Sequence, residues 1–440
     1  MKFTKNLLMI PILSLVSVAQ ASEPLLDSSL SSKSVYSGAA IVVGAVSTVG
    51  GSLQSAAALT IGANSIVRGD AQAGTALTVG AVAIVDGNVT ARDAGTIEAD
   101  AMVGGNFTTG DAATIGATIT SGNIMVGGDV TSGATIVVGG QSVITGNVRS
   151  GASSPINLGA GVEISRDVWA GSTLNMGALS HIGGSAAAKS ASIVLGALAS
   201  IQHNAWAGST ITAPVANTNI HGDQYAFHTF SANEIPKING KAPIVNKVAA
   251  LSRVRLALNN MPVPSANELA TTLNVNTTFT PGVYSALSMT TTAGLVITLD
   301  GVDNSIPVFW VFNINNSITF GADTTIVATN VHPDSRIIWN TAGYLSVGAG
   351  SAIMGTTFAG TSAITGGGTY LKGIGETCGG IFTITGTVTI GAGNTIGYTG
   401  CKPRTAPAKN FIIIDDALST GGVVAGFSAP YRPAKVILLR

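Results

Sequence analysis

Charge is scarce in this chain. Only 10% of its 440 residues are Asp, Glu, Lys or Arg, with 21 of each sign and no net charge, against roughly 25% in an ordinary soluble domain. Without a basic excess there is no electrostatic footprint for nucleic acid. The carboxylates are dispersed singly, which argues against a polysaccharide lyase or hydrolase needing clustered acids for calcium or proton transfer. Aromatic residues make up 5% and cysteines number two. With so few thiols, and no His near them, a zinc site is not expected. Beyond the N-terminus no apolar run approaches the ~20 residues that cross a bilayer. What is abundant is Gly, at 56 residues, within a 46% hydrophobic composition that is too apolar for a disordered chain. The composition describes a structural or surface-binding protein rather than an enzyme, and implies no cofactor.

Residues 1–21 read as a secretory signal peptide. Lys2 and Lys5 precede a short apolar core from Leu7 to Val18, and Ala19-Gln20-Ala21 forms a small-x-small cleavage site. The mature chain is therefore expected to be secreted, periplasmic or at the cell surface, with 22–37 as a linker. In such an oxidising compartment Cys378 and Cys401 are expected to form one disulfide, contributing about 3 kcal/mol by restricting the unfolded chain.

The strongest signal is an internal repeat. Gly51-Ser52-Leu53, Gly69-Asp70-Ala71, Gly87-Asn88-Val89 and Gly105-Asn106-Phe107 recur every 18 residues, and five further landmarks, from Gly128-Asp129-Val130 to His203-Asn204-Ala205, continue the series with steps between 18 and 23. Between them runs a second phrase, Leu59-Thr60-Ile61-Gly62-Ala63, Leu77-Thr78-Val79-Gly80-Ala81 and Ala113-Thr114-Ile115-Gly116-Ala117. The apolar period is two and Gly recurs too often for helix. Short strands at a short period predict a β-solenoid. Eighteen residues suit a three-faced coil, and nine coils stacked at ~4.8 Å would give a rod of about 40 Å. The longer steps are expected to loop outward. Arg68-Gly69-Asp70 spells an integrin-type tripeptide but occupies the regular turn of the repeat.

The phrases of 38–212, such as Thr60-Ile61-Gly62-Ala63 and Val126-Gly127-Gly128-Asp129-Val130, resemble the bactofilin type of polymer-forming β-helix. The period breaks at Pro214, so 38–215 reads as the repeat region and 216–264 as a connector. Within the connector, Ile244, Val248, Leu251 and Leu258 fall at helical spacing and predict a helix over 243–260, packed against the side of the solenoid.

Strands resume over 265–402. Phe279-Thr280-Pro281-Gly282-Val283-Tyr284, Pro307-Val308-Phe309-Trp310-Val311-Phe312, Arg336-Ile337-Ile338-Trp339 and Gly355-Thr356-Thr357-Phe358-Ala359-Gly360 follow in order. Together with the helix before it, about 243–400 resembles the microbial ice-binding protein family. The resemblance implies an all-β discontinuous solenoid with one long helix alongside, a second solenoid part after the helix, and ice as the partner. Departures are the many N-terminal coils, the Cys-bracketed loop and the tail 403–440, whose apolar runs Phe411–Ile414 and Val436–Leu439 are expected to cap an end or pair with a neighbour.

An ice-binding surface needs rigid, weakly polar groups at fixed spacing, and Thr supplies a hydroxyl, a methyl and a stiff χ1. In Phe382 to Ile390 the residues Thr383, Thr385, Thr387 and Thr389 alternate with Ile384, Gly386, Val388 and Ile390, which predicts one all-Thr strand face. Thr356 and Thr361, with Thr357, Thr365 and Thr369, form a looser second set. Two other readings stay open: a self-assembling extracellular scaffold joined through open coil ends, and, with less support, a polysaccharide-active enzyme.

Overall fold

The structure, a computed structural model, describes residues 33–116, 123–213, 219–230, 244–375 and 379–397, with Leu30 and the strand positions 411–412 and 437–438. Each coil contributes one strand to each of three parallel sheets. In the first coil these are Lys33–Ser37 on face 1, Ile41–Val43 on face 2 and Thr48–Val49 on face 3. Each face has 16 strands, so the molecule is the expected all-β solenoid, about 70 Å from end to end at ~4.8 Å per coil.

Chain order and spatial order differ. The coil that begins at Lys33 lies inside the stack, not at its end. Successive coils stack away from it as far as Gln224–Tyr225, while its other side is covered by the coil holding Gly380–Thr383, Val388–Ile390 and Thr395–Ile396. From there the sheets run back down the sequence to Gly282–Ala286, Thr272–Leu273 and Thr277–Phe279 at the opposite end. Two solenoid segments thus meet coil to coil and share one continuous set of sheets.

Three boundary expectations are corrected. Lys33–Ser37, placed in a linker, is a paired strand, and its Val35 and Tyr36 are fully buried. The coils also pass Pro214, because Asn219–Ile220 pairs with Ser200–Ile201 and Gln224–Tyr225 with Ala205–Trp206. The helix, α1, spans Val248–Asn259 rather than 243–260. Its start is delayed because the preceding backbone is held elsewhere: Lys247 N–H donates to the Tyr36 hydroxyl at 2.9 Å and Gln54 Nε2 donates to the Val245 carbonyl at 2.9 Å. Residues 1–21, Cys378, Cys401 and most of 403–440 lie outside the described residues. Within the tail, Phe411–Ile412 and Ile437–Leu438 pair antiparallel in a small sheet of their own.

The period of two explains the core. Leu59, Ile61, Val67, Leu77, Val79 and Val85 point inward and are no more than 1% exposed. Their apolar surface is the main stabilising term. Where Phe107 fills the interior, Gly95 stands at the position that Leu59 and Leu77 occupy two and one coils earlier, and a Cβ there would press on the Phe107 ring. The recurring Gly-Asp and Gly-Asn turns form a side-chain ladder between coils. Asp70 Oδ1 accepts Asn88 N–H at 2.8 Å, Asn88 Oδ1 accepts Asn106 N–H at 2.9 Å, and Asn106 Oδ1 accepts Asp129 N–H at 2.8 Å. Each Asx side chain satisfies a turn amide of the next coil. The Arg68-Gly69-Asp70 turn belongs to this ladder. Stacking continues across the 23-residue step, since Met102 and Val103 pair with Met125 and Val126.

The second segment has longer strands and a wider, aromatic interior, in which Phe312 stacks on Trp339 with centroids 4.1 Å apart. Outside, α1 buries Leu251 and Leu258 on face 1, in one cluster with Tyr36, Val311, Ile338, Phe358 and Phe382. Polar groups beneath it are paired. Asn313 Nδ2 donates to the Leu258 carbonyl at 2.6 Å, Asn340 Nδ2 donates to Asn259 Oδ1 at 2.7 Å, and Arg255 Nε donates to Asn340 Oδ1 at 3.0 Å. Burial holds the Arg255 guanidinium below its usual pKa.

Candidate functional site

The expected all-Thr strand does not exist as one strand. Gly380–Thr383 lies on face 1 and Val388–Ile390 on face 2, with a bend at 384–386 between them. Alternation restarts at that corner, which is why an unbroken sequence pattern misleads. Thr383 is fully buried and donates to the Gly386 carbonyl at 2.7 Å. Thr356 is also fully buried, in register with Ile338 of the cluster that α1 covers. Neither can touch an external surface. Thr357, Thr365 and Thr369 are buried too. Thr385 and Thr361 are exposed at the corner between faces 1 and 2. Only Thr387 and Thr389 stand on a flat sheet, and that sheet is face 2.

Face 2 carries a column of outward side chains through all its strands. From Thr114 the pairing passes to Thr96, Thr78, Thr60 and Val42, then crosses the junction of the two segments to Thr389. Two residues earlier on each coil stand Ala112, Ala94, Ala76, Ala58, Ala40 and Thr387, whose carbonyls accept the ladder hydrogen bonds of the neighbouring strands. The two columns are about 6.6 Å apart and step by ~4.8 Å per coil. Six coils therefore present a lattice of Thr, Ala and Val that contains no charge. Gly391, Gly44, Gly62 and Gly80 continue the surface as a low shelf. At Gly62 a Cβ would lie 2.7 Å from both the Ala45 nitrogen and the Val43 carbonyl oxygen, so only Gly lets the coils approach this closely.

The patch has natural limits. On the side of the second segment the columns meet Tyr344 and Ile364, 46% and 51% exposed. On the other side they meet Val137, Pro155 and Asn157. Sequence reasoning missed Thr60, Thr78, Thr96 and Thr114, although the repeating phrases held the signal: Thr60, Thr78 and Thr114 each stand between two inward apolar residues, and Thr96 between Gly95 and Ile97. Among the described residues no three His, Cys, Asp or Glu side chains converge as metal ligands.

Residues 130–397, more than half of the chain, match the sequence profile of the Ice-binding-like family. The chain belongs to that family. No curated protein matches it in sequence. Among solved structures it is similar to an ice-binding protein from an Antarctic biological consortium, at 18% identity and a TM-score of 0.30, over 52% of this chain and 85% of that one. It is similar also to an ice-binding protein of the Antarctic ascomycete Antarctomyces psychrotrophicus (17%, TM-score 0.30, 53% and 91%). A third is a domain of a Shewanella frigidimarina ice-binding protein (20%, TM-score 0.31, 54% and 94%). Family membership rests on the profile match, not on these partial superpositions. The match begins inside the repeat array, so the coils of residues 33–129, with most of the Thr column, precede the family segment.

Proposed function

We propose that this Ice-binding-like family member binds ice through face 2, and that the coils of both segments supply one continuous binding lattice. The observation that carries the reading is the uncharged Thr, Ala and Val array that crosses the junction in register at Val42 and Thr389. A β-solenoid fixes such groups on a rigid grid, the Thr methyls limit full hydration, and the hydroxyls hold water at set positions. Ice lies outside the cell, which fits export by a signal peptide at 1–21 and a disulfide between Cys378 and Cys401 in the mature chain.

Thermal hysteresis and recrystallisation inhibition of residues 22–440 test this. Thr78→Lys with Thr96→Lys, and separately Thr387→Lys with Thr389→Lys, should each remove most of the activity. Thr108→Lys, on the outward column of face 1, should leave it unchanged. Absence of activity in the parent chain overturns the reading. Regular fibres by negative-stain microscopy would then favour a bactofilin-like scaffold joined through its terminal coils, whose outermost strands have one neighbour each among the described residues.

A further inference from the structure

The row that flanks the Thr column of face 2 is glycine in every coil of a long stretch but one. From Ile318–Phe320 to Ile193–Leu195, thirteen strands of face 2 stack in succession. The residue after each strand is Gly, except after Gly95–Ile97, where it is Glu98. The ladder is unchanged there: Gly80 N–H donates to the Ile61 carbonyl and Glu98 N–H to the Val79 carbonyl, both at 2.8 Å. Glycine suits this row because the coils approach closely. At Gly80 a Cβ would lie 2.7 Å from the Ile61 carbonyl oxygen. Glu98 is the exception in a row that otherwise holds no side chain at all.

The Glu98 side chain turns back along the surface. Its Oε2 accepts the Ala81 N–H at 3.1 Å, so the carboxylate reaches the preceding coil beside the shelf at Gly80. Glu98 stands two residues past Thr96, about 6.6 Å along the strand. The charge thus borders the coils of Thr78 and Thr96, inside the stretch from Thr114 to Thr389. Stacking does not depend on this bond. The equivalent amides of Ala45 and Ala63 have no side-chain acceptor among the described residues, yet their coils pair in the same register. No Lys or Arg among the described residues forms an ion pair with Glu98. The other charges of the coil lie off the shelf: Arg92 and Asp93 come before face 2, and Asp100 Oδ1 accepts the Asn123 N–H at 3.2 Å.

Thr, Ala and Val hold water weakly enough for it to join a lattice. A carboxylate holds its water by charge-assisted hydrogen bonds, roughly twice as strong as neutral ones, and stripping them from an unpaired charge is costly. Taking face 2 as the ice surface, we propose that Glu98 limits how strongly that surface holds ice. Its charge keeps a hydration shell at the rim of the Thr column, which an ice front has to strip away or leave as a gap. Face 2 as encoded is therefore weaker than the same lattice without this one carboxylate.

Thermal hysteresis and recrystallisation inhibition of the full mature chain, 22–440, test this with three variants, each checked for folding by its melting curve. Glu98→Gln keeps the size and an oxygen for the Ala81 N–H but removes the charge, and should raise hysteresis about twofold or more at equal concentration. Glu98→Gly, which gives this coil the residue its neighbours hold, should raise it at least as much. Glu163→Gln removes a carboxylate from face 3, where Glu163 pairs in register with Val143 and His181, and should leave hysteresis at the parent's value. An active parent with Glu98→Gln no better than it overturns the proposal. So does a gain confined to Glu98→Gly, which assigns the limit to side-chain bulk, or an equal gain in Glu163→Gln, which assigns it to net charge. Inactivity of the parent and of both Glu98 variants instead overturns face 2 as the ice surface, and the proposal with it.

Discussion

The Ser47 hydroxyl donates a hydrogen bond to the Gly391 carbonyl at 3.0 Å across 344 positions of sequence. It marks the seam where the second solenoid segment closes onto the first. Around it, Ser37 Oγ donates to the Gly386 carbonyl at 2.8 Å and Gly38 N–H donates to the Thr383 carbonyl at 3.0 Å. The proposed binding lattice crosses this seam, so its flatness depends on how closely two distant parts of the chain approach.

Gly38→Ala should open the seam. A Cβ at Gly38 would overlap the Ile384 carbonyl and crowd Val248 Cγ2 at 3.1 Å. Backbone cannot rotate away as a side chain can, so the expected cost is at the upper end of about 1–3 kcal/mol for overpacking. Gly294→Ala provides the contrast. Its φ is +72°, yet no atom lies within 4 Å of the new Cβ, so only the left-handed backbone penalty of about 1–2 kcal/mol applies. Calorimetry should show the larger fall in Tm for Gly38→Ala. Hydrogen exchange at the seam amides should accelerate in that variant alone.

Tyr36 ties the helix to the seam and should make stability fall in alkali. It is fully buried, donates to Asn246 Oδ1 at 3.2 Å and accepts Lys247 N–H at 2.9 Å. Burial raises its pKa, and the Lys247 hydrogen bond opposes that shift. The unfolded phenol ionises first, near pH 10. The stabilisation is therefore complete below that pH and is lost as pH rises through the folded-state value. Tyr36→Phe should cost about 1–3 kcal/mol at neutral pH by removing the hydroxyl that accepts the Lys247 N–H, and should flatten the alkaline decline. Urea unfolding of both proteins from about pH 7 to about pH 11 separates the two effects.

The sequence makes the coil legible but not the order of coils in space. Gly-Asp and Gly-Asn spacing marks turns because Asx side chains bind the next coil's amides, a local rule that repeats. That the coil starting at Lys33 lies inside the stack depends on pairing between Ile41–Val43 and Val388–Ile390, which no local pattern encodes. The candidate site shows the same division. Alternation points both Thr383 and Thr389 outward, yet Thr389 stands outward on Val388–Ile390 while Thr383 is buried, because a corner at 384–386 resets the alternation without any Pro or Asn to announce it. The helix is read from its apolar spacing, but its first turn is withheld by Tyr36 and Gln54, residues about 190 to 210 positions away.

Val82→Asn should stabilise the protein without loss of packing. Val46, Val82, Leu179 and Leu198 occupy the corner between faces 2 and 3 with φ of 60°, 58°, 61° and 59°, a left-handed conformation that is costly for β-branched and bulky residues. They are also 65%, 49%, 62% and 50% exposed, so little core contact offsets the strain. The neighbouring coils hold Asn64 and Asp100 at the equivalent corner with φ of 56° and 57°. The ladder bond is the same in either case, Asn64 N–H to Ala81 O and Val82 N–H to Ala99 O, both 2.9 Å. Asn tolerates this region because its short polar side chain bonds locally, so relief of about 1 kcal/mol is expected. A higher Tm for Val82→Asn, with ice activity unchanged, is the expected result. A lower Tm would mean that Val82 contributes apolar contact worth more than the strain it carries.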